Sequence, residues 1–383
     1  MLTRRQTLAL GAGGLAAMGA PGLVMGREET GPSLHQLAQA KGMRFGSAVG
    51  VGPTGSFQGS FHDPRYRQLL INECGVLVHE NELKWYVARP DADTFDFERA
   101  DVLVEFAEEQ GMDMRGHTLL WHHTNWFPDW INNHDFGSRP GTEAERMLTE
   151  HVRTLVERYR GRIYSWDVVN ETIDEAGRFR ETPLSRHLGE EVIDLAFHVA
   201  KEADPDAELL YNDYMSWEAG YERQQEGVLR LLERLKSRRV PIHGLGVQSH
   251  IGSGNYDYST GFDTAREDTW RGFLDDVVSL DLSLSITEFD VHDKNLPADI
   301  ETRDREVAEL ARRYLDIMFS YSQTKDILVW GMADQYSWYQ EHWVREDGVA
   351  KRPTPYDENF QPKPLRQAIA DALIAAAPRP GAG

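Results

Sequence analysis

Two glutamates stand where short apolar runs end. The run Ile163-Tyr164-Ser165-Trp166-Asp167-Val168-Val169 stops at Asn170-Glu171, and Leu282-Ser283-Leu284-Ser285-Ile286-Thr287 stops at Glu288-Phe289-Asp290. Most of the 62 acidic residues in this chain are expected to be solvated surface charges, because unpaired carboxylates are rarely buried. Placement at the end of an apolar strand lifts these two out of that background. Where strands and helices alternate around a barrel, the carboxyl ends of the strands carry the chemistry. Two carboxylates delivered there from different strands suit cleavage of a glycosidic bond. One hands a proton to the leaving oxygen, and the other stays ionised to attack the sugar.

The elements that must position them follow from the hydrophobic pattern. Apolar runs predict eight strands, at residues 44–50, 76–80, 114–121, 163–171, 208–213, 244–250, 282–288 and 327–332. Between them lie helical faces with apolar spacing of three and four. Met147, Leu148, His151, Val152, Leu155, Val156 and Tyr159 make one; Val228, Leu231, Leu232 and Leu235 another; Val307, Leu310, Ala311, Tyr314 and Met318 a third. Nearly continuous apolar strands alternating with helices mean a parallel sheet covered by helices. Eight repeats, with no Gly-rich dinucleotide or phosphate loop, favour an α/β fold of the closed (β/α)8 TIM-barrel type over an open sheet. No long Pro/Ser-rich linker divides the 383 residues, so a single catalytic domain is expected. Its last helix runs over 365–377, and 378–383 read as a frayed end.

Composition narrows the partners. Lys and Arg number 41 against 62 Asp and Glu, a net charge of −21. Such a surface repels a phosphate backbone, which argues against nucleic acid, and it matches anionic membranes or polyuronic acids poorly. A neutral substrate fits best. Cys74 is the single cysteine, so no intramolecular disulfide or cysteine metal cluster can form; before Gly75-Val76-Leu77-Val78 it reads as a buried, inert thiol. The 14 histidines show no His-Glu-x-x-His spacing. His122 and His123 would diverge in an extended segment. Neither a metal nor a cofactor is implied.

Residues 1–26 carry Thr3-Arg4-Arg5-Gln6-Thr7-Leu8, then a weakly apolar Gly/Ala-rich run and Pro21. A charged start, a short apolar run and small residues describe a cleaved export signal, and paired arginines point to the twin-arginine route. The mature protein would begin near residues 26–30 and be periplasmic or secreted. The run is too short to span a bilayer stably, so no membrane association is expected after cleavage.

Seven ordered segments, each at a predicted strand end, complete the pattern. They are Glu80-Asn81-Glu82-Leu83-Lys84-Trp85, Arg115-Gly116-His117-Thr118-Leu119-Leu120-Trp121-His122 and Trp166-Asp167-Val168-Val169-Asn170-Glu171. Then come Tyr211-Asn212-Asp213-Tyr214, Gly244-Leu245-Gly246-Val247-Gln248-Ser249-His250, Ile286-Thr287-Glu288-Phe289-Asp290 and the stretch from Trp330 to Trp338. Over residues 34–377 the chain resembles glycoside hydrolase family 10, the endo-β-1,4-xylanases. The resemblance implies a (β/α)8 barrel, hydrolysis of internal β-1,4 bonds of xylan or xylo-oligosaccharides by double displacement, and a monomer.

It also implies roles. Glu171 would be the acid/base and Glu288 the nucleophile. His250 and Asp290 would orient Glu288 and hold it ionised, and Asn170 would bind the sugar 2-hydroxyl. Glu80, Asn81 and Lys84 would contact the glycone sugar, joined by His117 and Trp121, which lie four apart along a strand. Trp330 and Trp338 would form floor and wall for a stacked xylose, and Tyr214 would touch the aglycone. Physics supports the split: an acid after an apolar strand is expected to be desolvated, which favours its protonated form, while an imidazole neighbour favours a carboxylate. Gln248 and His250 are alternate strand residues and would face one cleft.

The chain departs from the family pattern after His122. The link His123-Thr124-Asn125-Trp126-Phe127 before Pro128 is longer than usual. It puts the usual amide contact in doubt, leaves open whether Asn125 replaces it, and could narrow the glycone end. Segment 133–141 and loop 252–266 could reshape distal subsites. Phe289 stands where an aliphatic residue is usual, and is tolerable if it faces the core. Two other readings remain open at this level: a barrel that binds carbohydrate without cleaving it, and a hydrolase of another β-1,4-glycan such as cellulose or aryl glycosides. A barrel that had lost its chemistry would be expected to lack Glu171, Glu288 or His250, and all three are present.

Overall fold

The computed structural model describes residues 31–252 and 264–380. The expected export signal at 1–26, the expected mature start near 26–30 and most of loop 252–266 lie outside the described residues. The parallel strands are β1 (Arg44–Val49), β2 (Val76–His79), β3 (Asp113–Trp121), β4 (Ile163–Asn170), β5 (Glu208–Asp213), β6 (Gly244–Val247), β7 (His250–Ile251), β8 (Ser283–Val291) and β9 (Thr324–Val329). Their order is β6-β5-β4-β3-β2-β1-β9-β8-β7, and β6 also pairs with β8, which closes the barrel. Two of the nine are halves of one expected strand. The chain leaves the ladder at Gln248 and Ser249, Ser249 takes φ 66°, and pairing with β8 resumes at His250↔Asp290. The barrel therefore has eight staves, as the pattern predicted, with the sixth broken at the site.

The helical faces also match the pattern. Helix α1 (Pro140–Arg158) buries Met147, Leu148, His151, Val152, Leu155 and Val156; α2 (Glu222–Ser237) buries Val228, Leu231, Leu232 and Leu235; α3 (Ile300–Ser320) buries Val307, Leu310, Ala311, Tyr314 and Met318. Apolar strand residues such as Phe45, Leu77, Trp166, Leu245 and Ile286 join these faces in one large core. Phe289 belongs to it as well: its ring stacks on Tyr314 of α3 at 6.2 Å, so it faces the helix layer. Cys74 is buried and unpaired, and burial pushes its thiol well up.

Alternate strand residues point to the barrel interior, which has two unlike halves. At β1, β2 and β9 it is apolar apart from Asp326, which pairs with Arg44, and Ala48, Val76, Val78 and Leu328 pack beneath Trp330. At β3, β4, β5 and β8 it is polar: Arg115 donates to Asp167 from its two terminal guanidinium nitrogens, and Thr287 donates to Asn212 at 2.6 Å. Glycine makes room there. A Cβ on Gly246 would lie 2.3 Å from Asn212 Oδ1. The ladder slips between His117 and Leu120 of β3, between Asp167 and Val169 of β4, and between Ile286 and Phe289 of β8. Such irregularities re-aim side chains next to active sites.

The expected frayed end is not observed through residue 380. Arg379 is buried at the foot of the barrel, donating to the carbonyls of Thr324 at 2.9 Å and Phe319 at 3.0 Å, and its backbone N–H bonds Lys41 O. Segment 133–139 is pinned to the outer helices, with His134 3.1 Å from Glu143 and Phe136 against His187.

Candidate active site

The strand ends bring the expected residues into one cleft. Glu288, near the end of β8, is buried with 5% exposure. Its Oε1 accepts from Asn212 Nδ2 at 2.8 Å, and its Oε2 lies 3.3 Å from His250 Nε2. His250 Nδ1 is 2.8 Å from Asp290 Oδ1, whose other oxygen accepts from Trp338 Nε1 at 2.9 Å. On the other side His117 Nδ1 stands 4.0 Å from Glu288 Oε1 and 2.9 Å from Asp167 Oδ2, itself locked to Arg115. Arginine, aspartate, histidine, glutamate, histidine and aspartate thus alternate along one buried line.

This line sets the charge on Glu288. Burial is the largest single influence and favours the neutral acid, but His117 and His250 outweigh it and hold the carboxyl below its ordinary value. For His250, burial alone would favour the neutral ring; Asp290 and then Glu288 overcome it and raise the imidazole to about 10. Asp167 is held low against its burial by Arg115 and His117. The result is an ionised Glu288 beside an imidazolium, the arrangement a nucleophile needs.

Glu171 is placed differently. It follows β4 with φ 56°, in the left-handed region that a non-glycine side chain enters at a cost of ~1–3 kcal/mol. The expected desolvation is absent. Glu171 is half-buried and open to the cleft, because the apolar β4 residues before it face the helix layer. Three neutral donors hold it: Trp121 Nε1 at 2.8 Å, Gln248 Nε2 at 2.9 Å and Asn170 Nδ2 at 3.2 Å.

The two carboxylates are joined by amides. Asn170 Oδ1 accepts from Gln248 Nε2 at 3.2 Å and from Asn212 Nδ2 at 2.9 Å, so one oxygen ties the Glu171 side to the Glu288 side. The common-face argument for Gln248 and His250 does not hold, since the strand is interrupted between them. Gln248 reaches Glu171, while His250 reaches Glu288. Asn212 and Asp167 join the site beyond the expected residues, although both lie within the strand-end segments that carry the family resemblance. The glycine opposite Asn212 was the available signal.

Of the residues expected to contact the glycone sugar, Glu80, Asn81 and Lys84 follow β2. Lys84 Nζ donates to Asn81 Oδ1 at 3.0 Å, Tyr86 OH donates to the same atom at 3.1 Å, and Lys84 lies over the rings of Trp121 at 4.8 Å and Trp330 at 5.8 Å. Burial, then Glu82, push the Glu80 carboxyl up to about 8 while Lys84 draws it down. Tyr214, on the opposite side, donates to Glu175 Oε1 at 2.7 Å and accepts from Arg180. In the long link, Asn125 is exposed and its backbone N–H bonds His123 Nδ1; the residue the link delivers to the cleft is Trp126, stacked on Trp121 at 4.6 Å. His122 bonds Arg180 O and His123 bonds Asn125, so the two rings have different partners.

A closed (β/α)8 barrel with two glutamates at the ends of β4 and β8, one ionised by imidazoles and one held by neutral donors in an open cleft, is a glycoside hydrolase in architecture. The sequence model of glycosyl hydrolase family 10 matches residues 33–372, and the chain belongs to that family. Among its relatives, endo-1,4-beta-xylanase B of Thermotoga neapolitana is 32% identical over 89% of this chain and 91% of its own length. The beta-1,4-xylanase of Dictyoglomus thermophilum is 35% identical over 78% and 82%. The crystal structure of xylanase 10B from Thermotoga petrophila in complex with xylobiose superposes with a TM-score of 0.79 at 33% identity, covering 90% of this chain and 98% of that one.

Proposed function

We propose that this chain is a retaining endo-1,4-β-xylanase with Glu288 as nucleophile and Glu171 as acid/base. One observation carries the assignment: the buried carboxylate is the one flanked by His250 and His117, whereas the carboxyl open to the cleft has only neutral donors. Glu288 attacks the anomeric carbon while Glu171 protonates the departing oxygen, giving a covalent glycosyl-enzyme and a free aglycone. Glu171, now a carboxylate, takes a proton from water as the water attacks the same carbon, and Glu288 leaves with the β configuration restored. The desolvation that suits a proton donor comes from the sugar that covers Glu171.

Asn170, fixed by Asn212 and Gln248, is the partner for the 2-hydroxyl, a contact that strengthens as charge develops on the ring. Glu80, Asn81, Lys84 and His117 bind the glycone, Trp330 and Trp338 crowd the position where glucose carries a hydroxymethyl group, and Tyr214 meets the aglycone. In this reading the enzyme acts as a monomer, exported by the twin-arginine signal at 1–26. Replacing Arg4 and Arg5 with Lys then leaves precursor in the cytoplasm, and unchanged delivery refutes the route.

Proton NMR of the first product from a β-xylo-oligosaccharide tests the mechanism. A β-anomer, with hydrolysis at least ~10-fold more efficient than of the matching cello-oligosaccharide, is expected. A first-formed α-anomer overturns both assignments, and equal rates on the two sugars overturn the xylose preference.

A further inference from the structure

The ring of Trp121, one of the residues expected at the glycone sugar, is packed against two neighbours. Lys84 Nζ lies over it at 4.8 Å, and the Trp126 ring stacks on it at 4.6 Å with an interplanar angle of 16°. Through its edge, Nε1 of Trp121 holds Glu171 at 2.8 Å.

Trp126 is the exposed member of this indole pair. The turn His123–Trp126 is set by its own bonds: Asn125 N–H to His123 Nδ1 at 3.2 Å and Trp126 N–H to His123 O at 2.9 Å. Thr124 and His122 tie the segment to the carbonyls of Glu181 and Arg180 at 3.2 and 2.9 Å. The ring is thus held on a built turn. Of the ten tryptophans only Trp126 and Trp343 are exposed, at 41% and 60%. Trp343 meets its cleft neighbour Trp338 edge-on, at 66°, whereas Trp126 stacks nearly parallel on Trp121. An indole left open to water forgoes the burial that ordinarily holds such a side chain inside.

We infer that the outer face of Trp126 is a sugar-stacking platform for a β-1,4-linked xylose unit outside the two that flank the cleaved bond, so that this residue sets the chain-length preference. The inference rests on the xylanase reading of the cleft. A pyranose ring presents a flat face of C–H groups, and an indole held rigid at the cleft rim matches it at little entropic cost. The long link departs from the family pattern at this point and supplies the ring.

The test compares Trp126→Ala, Trp126→Tyr and the parent enzyme on xylotriose, xylohexaose and an aryl β-xylobioside. For Trp126→Ala, kcat/KM on xylohexaose is expected to fall about 3- to 10-fold, the range of an aromatic contact, with the loss mainly in KM. Rates on xylotriose and the aryl glycoside are expected to stay within twofold of the parent, and Trp126→Tyr to restore most of the long-chain rate. A loss equal on all three substrates means that Trp126 only braces Trp121 and Glu171, and overturns the inference; so does no loss on xylohexaose. A parent enzyme inactive on every xylo-oligosaccharide instead removes the xylanase reading itself. Melting curves of the variants identify any loss due to unfolding, in which case Trp126→Tyr alone decides between platform and brace.

Discussion

Glu171 and Glu288 are the same residue at the ends of two strands of one barrel, yet their surroundings differ in kind. Glu171 is half-buried, strained in its backbone and bonded to an indole and two amides, none of which carries charge. Glu288 is buried between two imidazoles, each backed by an aspartate: His250 by Asp290 and His117 by Asp167. Burial by itself would make Glu288 the protonated member of the pair. The charges reverse that order. An imidazolium within hydrogen-bonding reach outweighs the cost of removing the carboxylate from water, because attraction between charges grows in the same low-dielectric setting that makes burial costly. Division of labour between two identical acids thus follows from their charged neighbours more than from their depth.

The largest test of this comparison removes each carboxylate. Glu288→Ala is expected to abolish turnover, with azide restoring it and giving an α-configured product, since the small anion attacks from the vacated side. Glu171→Ala is expected to slow xylan cleavage roughly 10²–10⁴-fold, the range of general acid–base catalysis. Its first step on an aryl glycoside with a good leaving group is expected to survive, because that group departs without a proton. Rates and product NMR on both substrates decide; azide rescue at Glu171 giving the α product would exchange the two roles.

A smaller effect comes from removing the charge beside Glu288 while keeping the carboxylate. In His250→Gln the cation is gone, so the value for Glu288 rises and its ionised form is lost at higher pH. The acid limb of kcat/KM is expected to move upward by about 1–3 pH units, the usual influence of an opposite charge at this range. Stability should respond with the opposite limb. His250 is raised to about 10 in the folded protein, so its contribution is complete below its ordinary value and fades as pH rises through about 10. The difference in melting temperature between parent and variant is therefore expected to shrink between neutral pH and pH 10. An unmoved acid limb would mean that His250 positions Glu288 without charging it.

These contrasts were only partly legible in the sequence. Apolar runs ending in polar residues located β4 and β8, and spacing of three and four located the buried faces of the helices, because those patterns report the layer between sheet and helices directly. The barrel interior writes no such pattern. Asn212 and Asp167 looked like ordinary strand-end polar residues, and the space left for Asn212 shows only as Gly246 on the neighbouring strand. The break at Gln248 and Ser249 was hidden because Ser249 takes its left-handed conformation without a glycine. The exposure of Glu171 differs from the sequence expectation because the apolarity of β4 belongs to its outward face. The foot of the barrel deceived in the other direction: a Pro- and Gly-rich tail looked frayed, while one guanidinium, that of Arg379, docks it to buried carbonyls.

The smallest expected effect asks whether the two carboxylates are independent. Asn212 and Gln248 come from different strand ends and serve different glutamates, but both donate to Asn170 Oδ1. Asn212→Ala removes a donor to a buried carboxylate, and Gln248→Ala removes one from a half-exposed carboxyl. A hydrogen bond to a charged group contributes about 1.5–3 kcal/mol, so the first substitution is expected to lower kcat/KM by roughly 10- to 100-fold. The second should cost less, because water can take the place of the lost amide at an open site. If Asn170 transmits between them, its side chain is already free to turn after the first loss, and the second then costs less than it does alone. The double variant is expected to fall short of additivity by at least about 0.5 kcal/mol, the lower bound for residues sharing a network. Additivity within about 0.3 kcal/mol on a xylo-oligosaccharide would show instead that Glu171 and Glu288 are tuned separately, each by its own neighbours, with Asn170 oriented by either amide alone.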